Sequence, residues 1–146
     1  MSKEEDIQAQ MRALIEQYVV LQNYAESLQR DLNTVIGVLS EIRLAKETIS
    51  SLKDEERNEF EVLISLDRGG NAYIKAPVIK PEKVIVNVGA GYYASLDYDK
   101  AIEVLTQRET ELAKVIQSIQ GELSKVAQYM EAIRAKLGEL RVKKGN

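Results

Sequence analysis

The sequence predicts a mainly α protein with a small β portion. Two long helices fold back on each other as an antiparallel coiled-coil hairpin, with two β-hairpins between them. Three observations carry this expectation. Apolar residues recur with heptad spacing at both ends of the 146-residue chain, and they alternate with period two in the middle. The bulky residues on which compact cores lean are scarce, with one Phe, no Trp and an aromatic share of 5%. Residues 1–146 read as a single domain: a helix over 2–56, two β-hairpins over 60–94 and a second helix over 95–142.

In the first helix Ile7, Leu14, Leu21, Leu28, Val35 and Ile42 occupy heptad position d. Met11, Tyr18, Ala25, Leu32 and Leu39 occupy position a. Lys46 interrupts the a series before Ile49 restores d. Ser2 and Glu5 have the spacing of a capping box. Glu4, Glu5 and Asp6 place negative charge where the helix dipole is positive.

The period then drops to two. Phe60, Val62, Ile64 and Leu66 alternate with Glu61 and Ser65, although Leu63 blurs the polar face. Asp67-Arg-Gly-Gly-Asn71 is a turn signal, and 72–76 returns as a partner strand. Pro77 and Pro81 are expected to bracket a linker. Residues 83–88 form a third strand, Gly89-Ala-Gly91 a tight turn, and 92–94 a fourth strand.

The second helix repeats the heptad pattern through Ile102, Leu105, Leu112, Ile116, Ile119, Leu123, Val126, Met130, Ile133, Leu137 and Leu140. Glu109 alone breaks it. Ser95 or Asp97 supplies the cap. Lys46 and Glu109 either snorkel or set register, and they need not touch each other. A connector of about 40 residues makes antiparallel closure the simplest, with Met11 beside Leu137 at the tip.

Composition removes whole classes of chemistry. The chain has no Cys and no His, which excludes disulfides, thiol nucleophiles, Cys/His zinc sites and histidine acid–base catalysis. A net charge of −3 provides no basic field for nucleic acid or an anionic membrane. The acidic N-terminus and the lack of a long apolar run predict a cytosolic protein that uses no membrane and no nucleic acid. Gly89-Ala-Gly-Tyr-Tyr-Ala94 matches a nucleotide-binding spacing, but no βαβ unit follows, so the glycines read as turn residues. Asp97, Asp99 and Glu103 read as dipole partners of a helix start rather than as metal ligands. No catalytic residue, cofactor or metal is expected.

Two needs remain unmet within one chain. Isolated hairpins expose strand edges and are marginal in water, so the β region is expected to join other chains in an oligomeric β body. Off-seam apolar residues near the tip are the second. Ile15, Val19, Val20, Tyr129 and Val142 lie outside a and d. Met11, Met130, Leu137 and Leu140 sit where helix ends fray. Scattered apolar surface residues are normal, so these positions fit either a gripping surface or an ordinary solvated face.

The stretch Ile64-Ser-Leu-Asp-Arg-Gly-Gly-Asn-Ala-Tyr-Ile-Lys-Ala76, followed by Lys83-Val-Ile-Val-Asn-Val-Gly-Ala-Gly-Tyr-Tyr93 and Ala101-Ile-Glu103, resembles the alpha class of the prefoldin family. It looks more like archaeal members than eukaryotic ones. Its turn at 67–71 departs from the family, where that turn is often shorter or more apolar. The resemblance implies an ATP-independent chaperone subunit that is not an enzyme. It would join beta-type subunits, two alpha with four beta, on a double β-barrel body, and pass unfolded clients to a group II chaperonin. It implies an assembly surface at Val62, Ile64, Val84, Val86 and Val88. It implies a client surface at Ile7, Met11, Ile15, Ile133, Leu137 and Leu140, to which the off-seam and frayed positions Val19 and Met130 are added.

The rival reading is a structural coiled-coil adaptor that binds one folded partner. It would fail to suppress aggregation of unrelated denatured proteins. A helical arm of an enzyme is disfavoured by the missing catalytic domain.

Overall fold

The computed structural model describes residues 2–145. Helix α1 spans Lys3–Asp54 and helix α2 spans Tyr98–Gly145. Between them lie β1 (Glu59–Ser65), β2 (Tyr73–Ile79), β3 (Val84–Gly89) and β4 (Tyr92–Leu96). The strands form two separate antiparallel pairs, β1 with β2 and β3 with β4. The chain divides into two compact units: Met1–Leu39 with Glu111–Asn146, and Ser40–Thr110.

The first unit is two helical segments packed along the heptad seam. Leu32, Leu39, Val126, Ile133 and Leu140 are buried, and the remaining seam residues are half-buried. Each buried aliphatic side chain contributes roughly 1.5–3 kcal/mol relative to exposure. The segments run antiparallel, as their cross-helix bonds show. Tyr24 Oη donates to Glu122 Oε1 at 3.5 Å, and Arg134 Nη2 donates to Tyr18 Oη at 2.6 Å. The Arg134 guanidinium also lies 5.5 Å from the Tyr18 ring centroid, a cation–π arrangement. At the start of α1, Ser2 Oγ accepts the Glu5 N–H at 3.3 Å, the serine half of the expected capping box.

The second unit holds the other ends of both helices and both hairpins. Ile42, Ile49, Val86, Ala101 and Leu105 are its buried apolar residues. Asp97, not Ser95, caps α2: its Oδ1 accepts the Lys100 N–H at 2.7 Å, and its carbonyl accepts Ala101 N–H at 2.9 Å. Ser95 belongs to β4, opposite Ile85.

The end of α1 is closed by a residue from outside the helix. Lys80 Nζ donates to the carbonyls of Lys53 at 3.1 Å and Glu55 at 2.6 Å, satisfying acceptors that a helix terminus leaves free. Its charge also stands 5.7 Å from the Tyr98 ring centroid, at the first turn of α2. Lys53 Nζ reaches Asp99 Oδ1 at 2.5 Å. The lysine charge is favoured by this bond, which holds its pKa above the ordinary value.

Pro77 departs from its expected place. It lies within β2, opposite Glu61, rather than bracketing a linker. A two-stranded sheet consists only of edge strands, and a proline nitrogen is tolerated on the open side of such a strand. On one face Phe60, Val62 and Ile64 pair with Val78, Ala76 and Ile74. In the connecting turn, Asp67 Oδ1 accepts the Asn71 N–H at 3.0 Å, and Oδ2 accepts the Asn71 side-chain amide at 2.8 Å. These bonds hold the Asp67 carboxyl below the usual carboxylate range, the Asn71 side chain having the largest effect.

The β3–β4 register slips between Asn87 and Gly89, so Val88 is the extra residue of a bulge. The turn that follows has positive φ at Gly89 (105°), Ala90 (53°) and Gly91 (78°). The two glycines adopt this conformation readily, whereas Ala90 stays there at about 1–2 kcal/mol. The glycine spacing is thus that of a hairpin turn.

Candidate functional site

In the first unit, apolar exposure is concentrated on α1. Ile15 is 48% exposed and Val20 66% exposed, and Val19 and Tyr24 are exposed beside them. They occupy heptad positions e, c, b and g, which a two-helix seam leaves in water. From Ala13 to Ala25 the only charged residue is Glu16. This stretch of α1, about three turns long, is therefore nearly uncharged and apolar on both flanks of the seam, with Ile15 and Val19 on one side and Val20 and Tyr24 on the other. On α2 the corresponding exposure is limited to Val115, Tyr129 and Val142, set among charged residues.

The other residues expected at the client surface lie differently. Ile7, Met11, Met130 and Leu137 are half-buried in the seam. Ile133 is buried, and Leu140 is only 2% exposed. The seam is shut at these two positions, and contact with another molecule there requires the helices to part. Tyr24 was not anticipated from the sequence. Its signal was its g position, which flanks the seam.

In the second unit, the residues expected at the assembly surface also split. Ile64 and Val88 are exposed, Val62 and Val84 are half-buried, and Val86 is 4% exposed and packs inside its own chain. The opposite faces are also apolar. Ile85 is 76% exposed, and Leu63, Tyr73, Ile79 and Tyr93 are exposed with it. The unbroken apolar run Val84-Ile85-Val86 carried that signal, since consecutive residues of a strand point to opposite faces. Two-stranded sheets with apolar residues on both faces and open edges on both sides are suited to burial between chains.

The two interruptions of the heptads face each other. Glu109 Oε2 lies 3.6 Å from Lys46 Nζ and 3.6 Å from Arg43 Nε. The Lys46 and Glu109 side chains are 23% and 25% exposed, so the pair is partly screened from water. A polar layer inside an apolar seam is satisfied only in the matching register.

Among the described residues, no cluster of three or more acidic side chains is placed to hold a metal ion, and no helix is long and apolar enough to cross a membrane.

Comparison with known proteins agrees with this geometry. The family model for prefoldin subunits matches residues 21–143. A prefoldin subunit alpha of Saccharolobus islandicus is 36% identical over 114 residues, covering 78% of this chain and 76% of the relative. One from Methanosarcina mazei is 28% identical over 137 residues, covering 92% and 95%. Among solved structures, a chain of filamentous prefoldin from Methanocaldococcus jannaschii, determined by cryo-electron microscopy, superposes with a TM-score of 0.64 at 21% identity. That match covers 86% of this chain and 98% of the other, and it shows the shared fold.

Proposed function

The chain belongs to the prefoldin family, on the side of its alpha subunits, and from that membership we propose that the α1 face of the first unit grips unfolded polypeptide while the hairpins join the chain to beta-type subunits. Its role is that of a chaperone subunit, and it works in assembly with other prefoldin subunits. The finer reading is a complex of two alpha and four beta chains that holds clients in the cytosol without ATP. It is not an enzyme, and it releases its clients to a group II chaperonin by transfer or competition.

One observation carries the holding role: the almost uncharged stretch of α1 that exposes Ile15 and Val19 on one flank of the seam and Val20 and Tyr24 on the other. Unfolded clients expose apolar segments that native proteins hide, so an apolar grip discriminates between them without reading sequence. Several such weak contacts in one assembly add avidity. The assembly role is supported by hairpins whose edges and outer faces have no partner among the described residues.

Two measurements test the proposal. Mixing the purified chain with beta-type subunits and weighing the product by native mass spectrometry should yield a hetero-hexamer. A monodisperse monomer in that mixture overturns the assembly role. Changing Ile15, Val19 and Leu137 to Ser should leave the complex intact but weaken protection of several unrelated denatured proteins against aggregation. Undiminished protection removes those residues from the client surface.

A further inference from the structure

At the end of the first unit an apolar row on α1 is bordered by cations. Ile7, Met11 and Ile15 recur every fourth residue, which aligns them on one side of the helix. Two grooves open along this row. The first, of about 340 Å³, is lined by Met11 and Ile15 with Arg12, Glu16 and Lys144. The second, of about 490 Å³, is lined by Ile7 with Lys3, Glu4, Lys143 and Lys144. Lys144 borders both.

The charge around the grooves is unbalanced. Lys3, Arg12, Lys143 and Lys144 face them, against Glu4 and Glu16. Glu5 and Asp6 of the same helix turn line neither groove. Among the described residues, no carboxylate within 4 Å forms an ion pair with Arg12, Lys143 or Lys144. Lysines at the last turn of α2 complement its dipole. That accounts for their being on the last turn, but not for their bordering an apolar groove of α1.

We propose that this end of the molecule selects client segments in which apolar side chains are flanked by Asp or Glu: the apolar groups seat on Ile7, Met11 and Ile15, and the carboxylates meet Arg12, Lys143 and Lys144. The inference rests on the client-holding role and adds to it a preference among clients. The positive rim works at short range and is screened by salt, while the apolar row is not. Discrimination therefore belongs to low ionic strength, and general holding survives at high.

The test uses the full chain and two labelled peptides of identical Leu and Phe content, one flanked by Glu and the other by Lys. Fluorescence anisotropy should show the acidic peptide binding about fivefold more tightly at low salt, as expected for one or two exposed ion pairs. The gap should close as salt is added. The double variant Arg12→Glu, Lys144→Glu should reverse the preference, with helicity by circular dichroism unchanged. Ile15→Ser should weaken both peptides alike. Equal binding of the two peptides, or a preference that the double variant leaves in place, overturns the inference while leaving client holding standing. Failure of the chain to bind either peptide removes the holding role as well.

Discussion

The two units are stabilised by different means. In the second, directional polar contacts add to the apolar packing: Lys80 on the carbonyls that end α1, Lys53 on Asp99, and Glu109 between Arg43 and Lys46. In the first, the apolar seam does most of the work, and its cross-helix polar bonds are those of Tyr18 with Arg134 and Tyr24 with Glu122. Directional bonds are satisfied in one geometry, whereas aliphatic contacts tolerate small shifts. The unit proposed to present strand edges to other chains is held by geometry. The unit proposed to accommodate varied clients is held by packing.

Breaking the packing of the second unit should have the largest effect. Leu105 is 5% exposed at the base of α2, and Leu105→Ala should cost about 2–5 kcal/mol in chemical denaturation. The half-buried Leu137 of the first unit should lose less when changed to Ala. Equal losses would mean that the two seams are alike.

The polar layer comes next. Lys46→Glu sets like charges face to face and should destabilise by about 1 kcal/mol, with Lys46→Glu, Glu109→Lys restoring part of the loss, since the new lysine then also faces Arg43. Non-restoration in that double-mutant cycle would show the pair to be incidental to register.

A smaller effect is expected from Tyr18→Phe, which keeps the seam packing but removes the acceptor for Arg134. The expected loss is about 0.5–1 kcal/mol, read as a lower thermal midpoint.

The smallest effect concerns the β1–β2 turn. Asp67 has a folded-state pKa below its unfolded value, so its contribution is present above the unfolded pKa and is lost as pH falls through the folded one. Asn71→Ala should raise the Asp67 pKa toward the ordinary range in an NMR titration, and neutral-pH stability should change little. An unmoved titration would remove Asn71 as the cause.

Much of this is legible in the sequence. The heptads placed both helices and named the residues of the seam, because a helix repeats every 3.6 residues and a seam repeats every seven. The turn glycines marked the second hairpin, because few side chains accept positive φ. Legibility ended where partners are distant in sequence. Lys80 carries no local sign that it will close a helix ending at Asp54. Pro77 looked like a boundary because an isolated strand pattern does not reveal that the strand has an open side. Ile133 and Leu140 look like Ile15 in composition, yet the first two are shut in the seam and the third is exposed.

The amino-acid sequence by itself determined the periodicities, and with them the helix–hairpin–hairpin–helix order, the absence of thiol and imidazole chemistry and the resemblance to prefoldin. Only the tertiary structure decided which apolar residues stay in water and that Lys46 meets Glu109. The reason is physical. Periodicity is a property of one segment, but exposure and pairing depend on the register of two segments, and that register is settled only when both sides of the seam pack at once.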